Sequence, residues 1–405
     1  MNREVRCTLI LSAVAYFVML GVSLVSPILP LYALSFDVSL FMVGALISGF
    51  GIARLLLDAP TGMMVDRFGI KRFMIYGVLV VAASSIVCAF AVNYWMLLLG
   101  RVFEGVGSAM YSTTSFTCMG RIAPENKRGK YMSFYLGMFL LGSVSGPAIG
   151  GYVGETLGLS APFFFYAGSA VFCYFLIQFG VNEGAFREKT RNVSDKVDFH
   201  QIKTLLSDYT FAAICLAVFV IFFVRMGITA TLVPVFACSN LGMTASSLGL
   251  VLTLSSLANF AIMIPAGSLT DRHGRRSFMF TSIFLTGFSV VLVPFSRDVI
   301  AFAAIMMVLG FSLGLSGPII AWVTDITNKD QLGTAMGIFR TMSDAGFVAG
   351  PVILTLLPGS SAGSINFIPF VVAGVLAILA SALLLRGRDP RRERRRSSAE
   401  KGEMV

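Results

Sequence analysis

Residues 60–72 read PTGMMVDRFGIKR, and residues 265–277 read PAGSLTDRHGRRS. Pro60, Gly62, Asp66, Arg67 and Gly69 recur as Pro265, Gly267, Asp271, Arg272 and Gly274, all at an offset of 205. The repetition extends in both directions. PLYALS from Pro30 returns as PVFACS from Pro234, and Gly146-Pro147 returns as Gly350-Pro351. Register holds within one residue over most of each half, so the chain reads as two copies of one unit.

The surroundings of the repeat are apolar. Of 405 residues, 56% are hydrophobic and 13% charged, against about 25% charged in a soluble domain; the mean hydropathy is +0.82. Apolar runs of roughly 20 residues match the ~30 Å hydrocarbon core when wound as helices. A soluble protein is excluded, and so is a β-barrel, because the runs are too long and do not alternate. Twelve spans are expected, at about 7–34, 39–64, 73–92, 95–118, 131–154, 161–181, 211–236, 244–267, 277–296, 299–323, 333–357 and 364–385. The first is too long for a signal-peptide core and lacks a small-residue cleavage site, so it reads as a retained helix. The expected class is an all-α integral membrane protein of two six-helix bundles in parallel pseudo-repeat. Residues 1–181 form the first half, 182–210 a charged linker, 211–386 the second half and 387–405 a basic tail.

Lys and Arg set the orientation. One side of the membrane collects Arg3 and Arg6, the 67–72 and 121–130 loops, the linker, Arg272, Arg275, Arg276, Lys329 and the tail; the other holds only Arg297. Both termini are therefore expected in the cytoplasm of a cell membrane, as an even span count requires. The net charge of +10 reports topology, not nucleic-acid binding. The tail reads either as a solvated end or as a segment meeting anionic lipid. Six cysteines without C-x-x-C spacing read as small core residues, and two distant loop histidines imply no metal site. No phosphate-binding loop and no catalytic arrangement is present, so neither an enzyme nor an ATP-driven pump is expected, and no cofactor.

The duplicated G-x-x-x-D-R-x-G loop, followed by Ile70-Lys71-Arg72 in one copy and Arg275-Arg276 in the other, resembles a signature of the major facilitator superfamily. LGVSLVSPILP at 20–30, containing Pro27 and Pro30, looks like the first-helix motif of its twelve-spanning drug:proton antiporter branch. LLLGRVFEGVGSA at 97–109 resembles the fourth-helix motif. GSVSGPAIGG at 142–151 resembles the fifth-helix antiporter motif, and GFVAGPV at 346–352 its eleventh-helix counterpart. The resemblance covers about residues 7–386. It implies a secondary transporter of a small-molecule substrate, coupled to protons, in which two halves rock about a site near the bilayer midplane. It also implies a cytoplasmic gate at Gly62, Asp66, Arg67, Gly69, Gly267, Asp271, Arg272 and Gly274, and Pro27, Pro30 and Arg225 are the residues expected at the substrate cavity. A monomer in the lipid bilayer is expected, with no nucleic-acid partner.

The residues carry physical reasons of their own. Gly142, Gly146, Gly150 and Gly151 recur at helical spacing, which predicts one helix face that a neighbouring backbone can approach closely. Pro147 can kink that helix. Gly69 and Gly274 permit a tight turn, and Asp66 suits the N-terminus of a neighbouring helix. The resemblance implies that neighbour is the eleventh, beginning near Gly333. Arg101 and Glu104, three apart, can touch. Glu104 departs from the family's usual glutamine, and reads either as a carrier of the coupling proton or as half of a permanent bridge. Arg225 has no acid within a turn, so it either attracts an anionic substrate group or meets a partner such as Glu104 on another helix.

Charges also stand in the second and eleventh spans, as Arg54 with Asp58 and Arg340 with Asp344. At 1.5 Å per residue, Asp58 and Arg340 each lie roughly 12 Å above the cytoplasmic end, and Arg54 and Asp344 roughly 18 Å. In the superfamily these two helices adjoin. The level match predicts a four-charge cluster bridging the halves, against the alternative of pairs closed within each helix. Asp58→Arg with Arg340→Asp should then restore transport that either single change abolishes. The function expected is proton-coupled efflux of small amphipathic or drug-like compounds. The alternatives are transport of a metabolite, sugar or organic anion, with Arg225 as anion ligand, and a transporter-like receptor without flux.

Overall fold

The computed structural model describes residues 3–122, 128–181, 199–328, 331–358 and 364–389. All twelve apolar stretches carry helix, as they must where no water is available to satisfy backbone N–H and C=O groups. The first half holds α1 (Arg3–Val25), α2 (Leu29–Leu34), α3 (Leu40–Phe68), α4 (Ile70–Ala89), α5 (Tyr94–Ile122), α6 (Arg128–Leu157) and α7 (Ala161–Gly180). After the short α8 (Phe199–Ser207) come α9 (Tyr209–Val224), a π-helical segment (Arg225–Leu232) and α10 (Val233–Ser239). The remainder is α11 (Ala245–His273), α12 (Arg275–Leu292), α13 (Val299–Leu315), α14 (Ile319–Ile326), α15 (Leu332–Leu356) and α16 (Ile368–Leu384).

Among the described residues, nine helical stretches are long and apolar enough to cross a membrane. The other three of the twelve are α5, which carries Arg101 and Glu104, α15, which carries Arg340 and Asp344, and the 17-residue α16. Several expected stretches differ in detail, among them the tenth, which breaks at a turn around Gly317 into α13 and α14. The first span breaks at a turn around Pro27 into α1 and α2. The seventh starts at Tyr209 and winds from α- into π-helix. The stretch read as a linker carries α8.

By contacts the chain divides into two compact units. Unit one is Met1–Ser194 with Ala230–Thr253 and Ser361–Ile365; unit two is Asp195–Thr229, Leu254–Ser360 and Asn366–Val405. In unit one α1 packs on α6 and α7, and α5 on α3 and α4. A core of Leu11, Val14, Val65, Ile70, Phe73, Met74, Tyr111 and Tyr135, among others, closes between them. Asn240 clasps Ile365, donating to its carbonyl at 3.2 Å and accepting from its amide at 3.1 Å. In unit two α9 packs on α15 and α16, and α12 on α13 and α16.

Candidate functional site

α5 carries a deeply buried ion pair. Arg101 Nη1 lies 2.8 Å from Glu104 Oε2, one helical turn away. Glu104 is fully buried and Arg101 nearly so. The guanidinium also stands over the Phe50 ring, 4.6 Å from its centroid, where the ring face attracts a cation. The pair is not saturated: Arg101 Nε and Glu104 Oε1 are buried with no hydrogen-bond partner among the described residues. Tyr166 of α7 faces Glu104, yet its hydroxyl makes no hydrogen bond of ordinary geometry. A Cβ at Gly21 of α1 would overlap the Tyr166 ring, which holds that ring in place.

The glycines after Glu104 explain the depth of the pair. A Cβ at Gly105 would meet the Phe50 carbonyl of α3 at 2.5 Å, and one at Gly107 the Gly77 carbonyl of α4 at 2.7 Å. Only without side chains there can α5 sit between α3 and α4. On α3, Asp58 is buried and accepts from Thr113 Oγ1 of α5 at 3.0 Å. Arg54 makes no ion pair among the described residues, and its Nε is buried without a partner. The R-x3-D of α3 therefore does not close on itself. Arg340 and Asp344 lie on α15 with partners of their own.

The fifth-helix glycines do not share one face, contrary to the sequence expectation. A Cβ at Gly142, Gly146 or Gly150 would overlap α1, at the Tyr16 carbonyl, at Ser23 and at the Leu24 carbonyl. One at Gly151 would overlap the Ala245 carbonyl, and one at Gly249 the Pro147 carbonyl, both at the start of α11. Consecutive residues are about 100° apart on a helix, so Gly150 and Gly151 necessarily serve different neighbours. Polar contacts reinforce the second seam. The Ala148 amide, next to Pro147, donates to Thr253 Oγ1 at 2.9 Å, and Glu155 Oε2 accepts from the Ser246 amide at 2.8 Å. That carboxylate sits at the positive end of α11. Sequence reading missed Glu155 and Thr253, because neither stands in a motif.

Gly69 and Gly274 adopt φ of +89° and +91° where α3 meets α4 and α11 meets α12. Gly62, Asp66 and Arg67 lie on α3 by backbone, and their surroundings lie outside the described residues. In the second loop Asp271 Oδ1 pairs with Arg275 Nη2 at 3.1 Å, and Arg275 Nε with Asp325 Oδ2 of α14 at 3.0 Å. Arg275 is buried, a role the sequence did not suggest. Asp389, buried at the start of the tail, accepts from the Arg276 amide at 3.2 Å. Trp322 Nε1 donates to the Arg388 carbonyl. The tail thus begins docked, and residues 390–405 lie outside the described residues.

Pro27 sits in the turn between α1 and α2, and Pro30 in the first turn of α2. Arg225 opens the π-helical segment. No group of three or more metal-binding side chains occurs among the described residues.

An internal repeat, nine described stretches long and apolar enough to cross a membrane, and buried charges define a multi-pass membrane protein. The family model described as Major Facilitator Superfamily matches residues 11–239 and 214–404. The chain belongs to that superfamily and is a multi-pass membrane transporter of it. It is 24% identical to an uncharacterized MFS-type transporter of Methanocaldococcus jannaschii, over 89% of this chain and 94% of that one. It is 23% identical to multidrug resistance protein 2 of Bacillus subtilis, over 95% and 96% of the two chains. Among solved structures, the nucleoside transporter NupG superposes with a TM-score of 0.78 at 13% identity, over 96% of this chain and all of that one; this likeness concerns the fold alone.

Proposed function

We propose that the chain is a secondary active transporter of a cell membrane that expels small amphipathic compounds in exchange for protons, by alternating access of its two halves. The observation that carries the reading is the Arg101–Glu104 pair at 2.8 Å. A fully buried carboxylate with one counter-charge and a spare oxygen is a site that can hold a proton and release its partner. With Glu104 neutral, Arg101 keeps only the Phe50 ring and is free to reorient. Gly105 and Gly107 hold α5 so close to α3 and α4 that such a change reaches both. Asp58, joined to α5 through Thr113, is the second acid within reach of that movement. Relatives named for multidrug resistance support export of drug-like compounds.

The test is proton movement in proteoliposomes loaded with a pH-sensitive dye. Ethidium and dansylglycine serve as cationic and anionic amphipathic probes. Addition of a transported probe should move protons with the wild type, and Glu104→Gln, which keeps the shape but cannot ionise, should uncouple the two. Probe flux without proton movement in the wild type would sink the coupling. Absence of any flux would favour a receptor that does not transport.

The proposal includes twelve spans in a monomer, with both termini in the cytoplasm, as the Lys and Arg bias suggests. A cysteine at Arg297 should react with an impermeant maleimide from outside, and one at Lys130 only after permeabilisation. The opposite pattern would overturn the orientation.

A further inference from the structure

The two repeats differ by one residue in their first spans. A Cβ at Gly142 would meet the Tyr16 carbonyl and the Leu20 amide, and a Cβ at Gly346 would meet the Phe219 carbonyl and the Phe223 amide. Tyr16 and Phe219 are 203 positions apart, as are Leu20 and Phe223, whereas Pro30 and Pro234 are 204 apart. The second repeat therefore holds one extra residue between Phe223 and Pro234. The π-helical segment Arg225–Leu232 lies in that interval. One added residue widens the turn to i→i+5 bonding, a device found often at functional sites.

Two donors without acceptors stand on this segment. Arg225 makes no hydrogen bond or ion pair among the described residues. It lies about midway along the Tyr209–Ser239 stretch, ~24 Å of helical rise from Tyr209. Thr229, about one π-turn on, has a buried Oγ1 with no partner. Helical threonines elsewhere, such as Thr117, Thr281, Thr286 and Thr341, donate to the carbonyl four residues back at 2.9–3.0 Å. Thr229 does not close this bond on the Arg225 carbonyl. Thr8 and Thr114 also lack partners, but neither has a cation three or four residues away. Arg225 and Thr229 are both partly exposed, whereas Gly227 and Ile228 between them are buried, and a Cβ at Gly227 would meet the Gly350 backbone at 2.7 Å. The packed side is thus fixed on α15, and Arg225 and Thr229 stand on the opposite side of the segment, with the Thr229 Oγ1 atom itself buried. A bare guanidinium at this depth is costly against hydrocarbon, so it faces water or a ligand.

We propose that Arg225 and Thr229 form an oxyanion site, and that the transported compound carries a carboxylate or a similar anionic oxygen group that both donors bind. The proposal rests on the transport reading above and narrows its substrate class to amphipathic anions. Guanidinium and carboxylate match in geometry, and the Thr229 hydroxyl adds a bond that a neutral amide at that position would use less well.

The test is equilibrium binding of dansylglycine and its neutral amide to the purified full-length chain, read by dansyl fluorescence. The wild type should bind dansylglycine at least about tenfold more tightly than the amide, a difference of about 1.4 kcal/mol. Arg225→Gln should remove the preference, Arg225→Lys should keep part of it, and Thr229→Val should reduce it about threefold. Thermal melting of each variant in detergent reports folding, and the Lys and Val variants carry the test if Arg225→Gln does not fold. Equal binding of the two probes by the wild type, binding of neither at millimolar concentration, or an unchanged preference in Arg225→Gln would overturn the site. Anion preference without proton movement would leave the site standing and overturn coupled transport. Proton movement driven equally by both probes would do the reverse.

Discussion

Ile70 and Arg275 hold the same place in the two repeats, each following the positive-φ glycine that joins two helices. Both are almost completely buried. Ile70 closes the apolar core of unit one with Val65, Phe73 and Met74. Arg275 in unit two is instead held by Asp271 and Asp325, with Asp389 on the next amide. The backbone turn has the same geometry in both copies, while the residue after the glycine meets apolar neighbours in one and charged partners in the other. A hydrophobic closure has no electrostatic handle. An ionic closure weakens when a partner is protonated, screened or drawn away. The second loop is therefore the more adjustable of the two.

The largest expected effect comes from moving the ionic residue into the apolar setting. Ile70→Arg would bury a cation with Asp66 four residues back but Gly120 where Asp325 stands in the second repeat, at a cost of several kcal/mol. It should lower the melting temperature in detergent sharply or abolish folded protein. A variant as stable as the wild type would show that the site around Ile70 is wetter than its burial indicates.

An intermediate effect probes what the repeats share. Gly142→Ala presses a methyl group into the Tyr16 carbonyl, and Gly346→Ala presses one into the Phe219 carbonyl. Helix backbone cannot yield as a side chain can, so each should cost about 1–3 kcal/mol, and the two costs should be alike. A melting-temperature loss confined to one of them would break the structural equivalence of α6 on α1 with α15 on α9.

The smallest effect sharpens the ionic side. The Asp271 side chain is 48% exposed, whereas that of Asp325 is 26% exposed. Asp271→Asn should cost under about 1 kcal/mol, as exposed pairs do, and less than Asp325→Asn. The reverse order of melting temperatures would assign Arg275 to the other acid.

The repeat, the helical class and the superfamily were legible in the sequence, because hydropathy, spacing and the duplicated loop are local signals. The Arg101–Glu104 contact was legible too, since three residues apart on a helix means adjacent. What escaped is what depends on neighbours. Four glycines at helical spacing looked like one face, but Gly151 turns to α11 because a one-residue step rotates about 100°. Glu155 and Thr253 are ordinary surface residues until α6 and the start of α11 meet. Arg275 reads as one more basic loop residue until Asp325, 50 positions on, comes beside it. The π-helical segment shows only as a one-residue slip between repeats, and its meaning requires knowing which residues face the packed side.

The central claim is that Glu104 carries the coupling proton. Its most direct test compares wild type and Glu104→Gln in the same proteoliposomes, recording internal pH and probe content after an imposed pH step. The account expects the wild type to exchange probe for protons and to accumulate the probe against its gradient. It expects Glu104→Gln to bind the probe yet neither accumulate it nor move protons. Uphill accumulation by Glu104→Gln with wild-type proton exchange would contradict the account and leave the Arg101–Glu104 pair a structural bridge.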